Sequence, residues 1–315
     1  MAPVQQSYES GKTCLSSLLY SANCFSTNRL LRNGGAGATG LIRALALDYL
    51  SSLSLSQLES GSITWVCNHS RNTQLALFHN YIDIALTYER STEAIAETEG
   101  WSKTFGCVFH DHFVLAGPAA DPAGVTGCGN INEALFKIWK LGTQGTEGVR
   151  WHARTDDSAT MWKERSLWVM TPERLQPWRD TKASETWYQM SVCTPAEAVQ
   201  RADKTSAYLL TDRATLLRQT ALGTVERTTV FSEPRAEDDV LMNSCFALYS
   251  PDKKRGGNEH VQRFLAYAVS ERGQRLIERF GMEEVGVPFF AVVKDGFARS
   301  SLVRGVPTQG KWVAR

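Results

Sequence analysis

At 315 residues the chain is long enough to bury one large core or two lobes. Its 43% hydrophobic and 21% charged content is that of an ordinary globular protein. A formal charge of +1 without a basic cluster argues against a nucleic-acid partner, and no apolar run approaches the length that membrane insertion requires. Seven scattered cysteines form neither a close pair nor a Cys/His set with zinc spacing. We expect buried small hydrophobes or free thiols in a reducing compartment, with no metal and no cofactor.

In chain order, residues 1–28 are Ser-rich and read as an N-terminal arm or an added helix. Met1 to Phe25 lacks a basic head followed by an apolar core, so no secretory signal is read there. That reading predicts a cytoplasmic protein, unless a leader has been removed. Leu30 and Leu31 mark a strand, and Leu41 to Leu50 has helical periodicity. Between them lies Asn33-Gly34-Gly35-Ala36-Gly37-Ala38-Thr39-Gly40. Strands are expected over Ile63 to Cys67, Ile82 to Thr87, Phe113 to Ala116, Tyr208 to Leu210 and Phe246 to Leu248. Helices are expected over Gln74 to His79, 130–141, Met161 to Trp168, 194–205 and Val261 to Phe280, the last stopped by Gly281. Strands alternating with helices predict an α/β fold with parallel sheets.

Two segments carry the chemistry. The glycine run joins a strand to a helix N-terminus, where backbone N–H groups lack internal partners and the helix dipole favours an anion. It lacks the acidic residue of a dinucleotide fingerprint and the Lys-Ser or Lys-Thr pair of a P-loop. The second segment, Arg154-Thr155-Asp156-Asp157-Ser158-Ala159-Thr160, reads as a loop feeding a helix, with Asp157 or Ser158 as N-cap. Arg154 offers a planar fork of donors, and Thr155, Ser158 and Thr160 offer hydroxyls, a set suited to a tetrahedral oxyanion. A capping box beside a surface arginine is the competing reading of the same residues.

With these blocks go Asn80 to Glu89, His110 to Pro118, Asp121 to Gly124, Ala207 to Arg213 and Asn243 to Ser250. In this order, over roughly residues 30 to 285, the chain resembles the tungstate/molybdate-binding proteins of ABC transporters, and more closely their fungal relatives. The resemblance implies a two-lobed, periplasmic-binding-protein-like (type II) α/β fold with a ligand cleft between lobes. On that pattern the first lobe is 1–116 plus 246–315 and the second 117–245. It implies that a small anion meets Arg154 and Thr160. Gly34, Gly35, Ala36, Thr39, Thr87, Thr155, Ser158, Thr211 and Arg213 are further expected contacts. This chain departs from the family at Ala153, at Thr155 and across Gly34 to Ala36, where hydroxyl donors or a glycine are replaced. An organic carboxylate or phosphate therefore competes with a metal oxyanion as the expected ligand.

The departures leave an enzymatic alternative open: a cofactor-free isomerase, cyclase or dehydratase acting on an organic, polyketide-like metabolite of secondary metabolism. His110 and His112 would share one side of a strand with Asp111 on the other, and could move protons. Structural hydrogen bonding is the plainer role for each. Trp151, Trp162, Trp168 and Trp187 gather in the second lobe and would suit an aromatic-lined site. Neither oligomeric state nor ligand identity is legible.

Overall fold

The computed structural model describes residues 5–9, 12–14, 28–33, 35–53, 62–234, 236, 238–252 and 259–294, together with short strands within 296–314. The chain divides into two compact units. Among the described residues, the first runs to His110 and includes Ser244–Phe280 and Val292–Lys294; the second comprises Asp111–Asn243, Gly281–Ala291 and the short strands within 296–314. The division therefore falls at 110/111 and 243/244, with further changes of unit at 280/281, 291/292 and after Lys294; the first is six residues before the expected 116/117. Gly281–Ala291 belongs to the second unit, where the first was expected.

In the first unit, β3 (Asn28–Asn33) lies parallel to both β4 (Ser62–Cys67) and β5 (Ile84–Thr87). The outer strands are antiparallel. β11 (Met242–Tyr249) pairs with β5, β1 (Gln5–Glu9) with β4, and β2 (Lys12–Cys14) with β1. The N-terminal segment thus contributes two strands at positions expected to hold an arm or a helix. Helices α3 (Ser70–Phe78) and α4 (Arg90–Thr98) follow β4 and β5.

The glycine run is not an open loop. Gly35–Ala38 forms one turn of helix, α1, and Gly40, at φ 96°, turns the chain into α2 (Leu41–Ser51). That left-handed conformation strains any residue carrying a Cβ, so a glycine is needed there. α2 buries Leu41, Ile42, Leu45, Ala46, Tyr49 and Leu50, the stripe its periodicity predicts. Asp48 on α2 receives the Tyr267 hydroxyl at 2.5 Å and the Arg272 guanidinium at 2.7 Å, tying α2 to α10 (Glu259–Ala268) and α11 (Glu271–Arg279). The expected single helix over 261–280 is two helices. Ser270 ends the first and caps the second, its hydroxyl accepting from the Gly273 N–H at 3.3 Å. A serine hydroxyl competes with the helical ladder in this way, and periodicity alone does not register it.

The strand expected over 113–116 is the end of a 16-residue strand, β6 (Lys103–Pro118), which carries the chain into the second unit. Its polar residues, His110, Asp111 and His112 among them, hid its length. There β6 pairs antiparallel with β9 (Leu209–Asp212) and with β10 (Thr228–Ser232). A separate parallel pair joins β7 (Trp151–Arg154) to β8 (Tyr188–Ser191), and an isolated bridge links Trp151 to Tyr208. Helices α5 (Ile131–Thr143), α6 (Ala159–Met170), α7 (Thr181–Thr186), α8 (Pro195–Thr205) and α9 (Arg213–Ala221) complete this unit.

Its core contains Phe113, Leu115, Leu135, Ile138, Trp151, Leu167, Trp168, Trp187, Tyr188 and Tyr208. Trp168 meets Trp151 edge-to-face at 5.0 Å and Trp187 at 6.2 Å. Trp151, Trp168 and Trp187 thus belong to the core, while Trp162 is half-buried and stands outside that cluster. Burial of large rings is a strong demand in a core of this kind.

Candidate functional site

The second unit brings Arg154, Thr155, Ser158 and Thr160 together at one end of β7. All four β7 residues are buried. Alternation sends Trp151 and Ala153 into the core, and His152 and Arg154 to the other face. After the strand, Asp157 takes a left-handed φ of 56° and α6 begins. Ser158, and not Asp157, is the N-cap: its hydroxyl accepts from the Met161 N–H at 3.3 Å. The Thr155 N–H donates to the Ser191 carbonyl at 3.0 Å, which fastens the loop to β8.

Arg154 is only 6% exposed. It forms an ion pair with Asp156, whose side chain is also buried, so the competing picture of a surface arginine does not hold. Asp156 also accepts from the Ser158 N–H at 3.3 Å. One carboxylate thus orients both the guanidinium and the start of α6. The Arg154 Nε–H is buried and has no hydrogen-bond partner. A buried donor left unsatisfied costs about 1–3 kcal/mol, a penalty that a bound acceptor would remove.

Around this cation sit residues that the sequence reading missed. His152 Nε2 lies 3.2 Å from Ser191 Oγ and 3.8 Å from Cys193 Sγ. Burial, followed by the charges of Arg201 and Arg154, pushes the imidazole down to about 4, so it is neutral near pH 7. Asp156 was readable from its Arg-x-Asp spacing. His152 and Ser191 carried no local signal, because only the pairing of β7 with β8 places them beside Arg154.

The remaining expected contacts are placed as follows. Thr211 is buried on β9, which packs against α6. Asp212 caps α9, accepting from the Thr215 N–H at 2.8 Å. Arg213 is buried, donates to the Phe289 carbonyl at 3.3 Å, and is lowered to about 10 by desolvation. Gly35, Ala36, Thr39 and Thr87 belong to the first unit, and Gly34 lies outside the described residues. The Thr39 hydroxyl donates to the Ala36 carbonyl at 3.0 Å, and that of Thr87 to Glu93 Oε1 at 2.7 Å. In this conformation both hydroxyls are engaged within the protein.

His110 places Nδ1 2.7 Å from Ser244 Oγ and Nε2 3.4 Å from the Val293 carbonyl. His112 is fully buried. Asp111, also buried, accepts from the His112 N–H at 2.7 Å. Burial, and then the charge of Asp212, hold it well above the usual carboxylate range.

Residues 54–272 match the family described as the PBP superfamily domain. The chain belongs to the PBP superfamily. It is 30% identical over 135 residues to a Haloferax volcanii protein described as an ABC transporter anion-binding protein, covering 43% of this chain and 35% of that one. It is 29% identical over 219 residues to the tungstate-binding protein TupA of Peptoclostridium acidaminophilum, covering 66% and 67% of the two chains. This chain therefore spans about a third of the Haloferax protein's length and two thirds of that of TupA. A crystal structure of a periplasmic protein described as metal binding superposes with a TM-score of 0.72 at 29% identity, covering 83% of this chain and 94% of that one. The PBP chain accordingly has the type II periplasmic-binding-protein fold.

Proposed function

We propose that this PBP-superfamily chain binds a small oxyanion, of the tungstate or molybdate kind, at Arg154 and the start of α6. The observation that carries the reading is the buried, unpartnered Nε–H of Arg154, held in place by Asp156 beside Ser158 and Thr160. An arginine fork recognises an oxyanion through more than one N–H, and the helix N-terminus adds partial positive charge. The names of the Haloferax protein and of TupA point to the same chemistry. Asp156 offsets part of the arginine's charge, so the ligand must be drawn by geometry as well as by charge.

Isothermal titration with tungstate, molybdate, phosphate, sulfate and a small organic carboxylate tests the reading. Arg154→Ala alone would strip a buried carboxylate of its partner, at a cost of about 3–5 kcal/mol. The informative variant is therefore Arg154→Ala with Asp156→Asn. Its anion affinity should fall tenfold or more, because one charge-assisted hydrogen bond contributes about 1.5–3 kcal/mol. An unchanged affinity would place the anion elsewhere. Tightest binding of the carboxylate would replace the metal oxyanion with an organic ligand.

A further inference from the structure

The buried carboxylate of Glu164 has no part in the site as described so far. It is 3% exposed and sits on α6 one turn after Thr160, about 6 Å along the helix axis. Its Oε1 accepts three hydrogen bonds: from Trp151 Nε1 at 2.9 Å, Trp168 Nε1 at 3.3 Å and the Tyr188 hydroxyl at 2.5 Å. Trp151 and Tyr188 are register partners on β7 and β8. Three residues further along the same strands stand Arg154 and Ser191, again register partners. One carboxylate oxygen thus fastens both strands to α6, and the outer ends of these elements carry the oxyanion groups.

That tie requires an acceptor and not a negative charge; an amide oxygen could make the same three bonds. The charge is also poorly compensated. Arg165 is the cation that acts on Glu164, and it is the weakest of the influences on it. His152 and Arg154 leave the opposite face of β7 from Trp151. From the other elements packed on α6, Asp212 of β9 caps α9, while Glu133 and Lys137 of α5 stand 3.6 Å apart and pair with each other. The carboxylate rests on three neutral donors in a core of aromatic rings.

We infer that Glu164 is a positioning residue of the oxyanion site and that its own negative charge weakens the anion it helps to seat. The inference rests on the oxyanion reading above. A dianion and a carboxylate repel across the low-dielectric interior, so the anion binds more tightly to the protonated form and draws a proton onto Glu164. Burial raises this carboxyl to about 7, and the three donors oppose the rise, so the effect falls in the neutral range.

Calorimetric titration of the full chain with molybdate, from about pH 6 to about pH 8.5, reads it out. Wild-type affinity should weaken about three- to tenfold as pH rises through this range. Measured near pH 7 in two buffers of different ionisation heat, binding should take up a fraction of a proton. E164Q keeps an acceptor without the charge: its profile should be flat at the tight end, with no proton uptake. E164L removes the tie and should bind more weakly at every pH. An E164Q profile that parallels wild type would overturn the charge effect, and E164L binding as tightly as E164Q would overturn the positioning role. Failure of wild type to bind molybdate, tungstate, phosphate or sulfate would overturn the oxyanion reading itself, an outcome distinct from both.

Discussion

His152 and Arg154 leave the same face of β7, and the charge of one suppresses protonation of the other. His152 is 5% exposed, and burial with two nearby guanidiniums brings it to about 4 from its ordinary 6.5. The consequence for stability has a definite sign. Below 6.5 the unfolded chain takes up a proton that the folded chain refuses until about 4. Stability is therefore fully present above 6.5 and is lost as pH falls towards 4. Denaturant titrations at pH 7 and near pH 4.5 should show His152→Gln losing about 1–3 kcal/mol less than wild type over that interval. Equal losses in the two proteins would mean that His152 is protonated in the fold. The glutamine can still bond Ser191, which keeps the comparison to charge.

At the level of elements, α5 comes unusually close to Trp187, the residue before β8. Gly142, near the end of α5, lies so near Trp187 that an added Cβ would stand 2.5 Å from a ring carbon. Two effects oppose each other in Gly142→Ala. Alanine gains about 1 kcal/mol in helix propensity. Overpacking against a ring that Trp168 and Tyr188 also contact costs about 1–3 kcal/mol. The clash should win, and thermal unfolding should show a lower Tm for Gly142→Ala. Trp187→Leu in the same background should restore part of the difference, because it removes the obstructing ring. A raised Tm for the single variant would show that Trp187 yields easily. The sequence marks this helix by its apolar period and its Asn130 cap, but the closeness of Gly142 to Trp187 exists only in the packed unit.

At the scale of the whole molecule, an anion that binds only the folded chain must raise its stability by mass action. At one hundred times the dissociation constant the gain is about 2.7 kcal/mol. Differential scanning calorimetry with molybdate or tungstate should therefore move the transition upward, and the shift should be absent in the Arg154→Ala, Asp156→Asn double variant. An equal shift in both proteins would point to a second anion site. The division of the chain into two compact units bears on this. Calorimetry would also show whether the ligand moves one transition or two.

By itself the sequence determined the alternation of strands and helices, the stripe on α2, the glycine run leading into that helix and a cap at Asp157 or Ser158. Each of these is a contest between near neighbours in the chain, and local patterns decide it. It also held Arg154 and the start of α6 in one segment, because a strand end and the following helix are contiguous. The tertiary structure decided the rest. It showed that Arg154 is buried against Asp156, that Thr39 and Thr87 spend their hydroxyls within their own unit, and that Trp151, Trp168 and Trp187 are core. It placed Glu164 under three donors, of which Trp151 lies 13 residues away and Tyr188 24. Hydrogen-bond satisfaction and burial are properties of the packed interior, set by residues far apart in the chain, and no local period in the sequence encodes them.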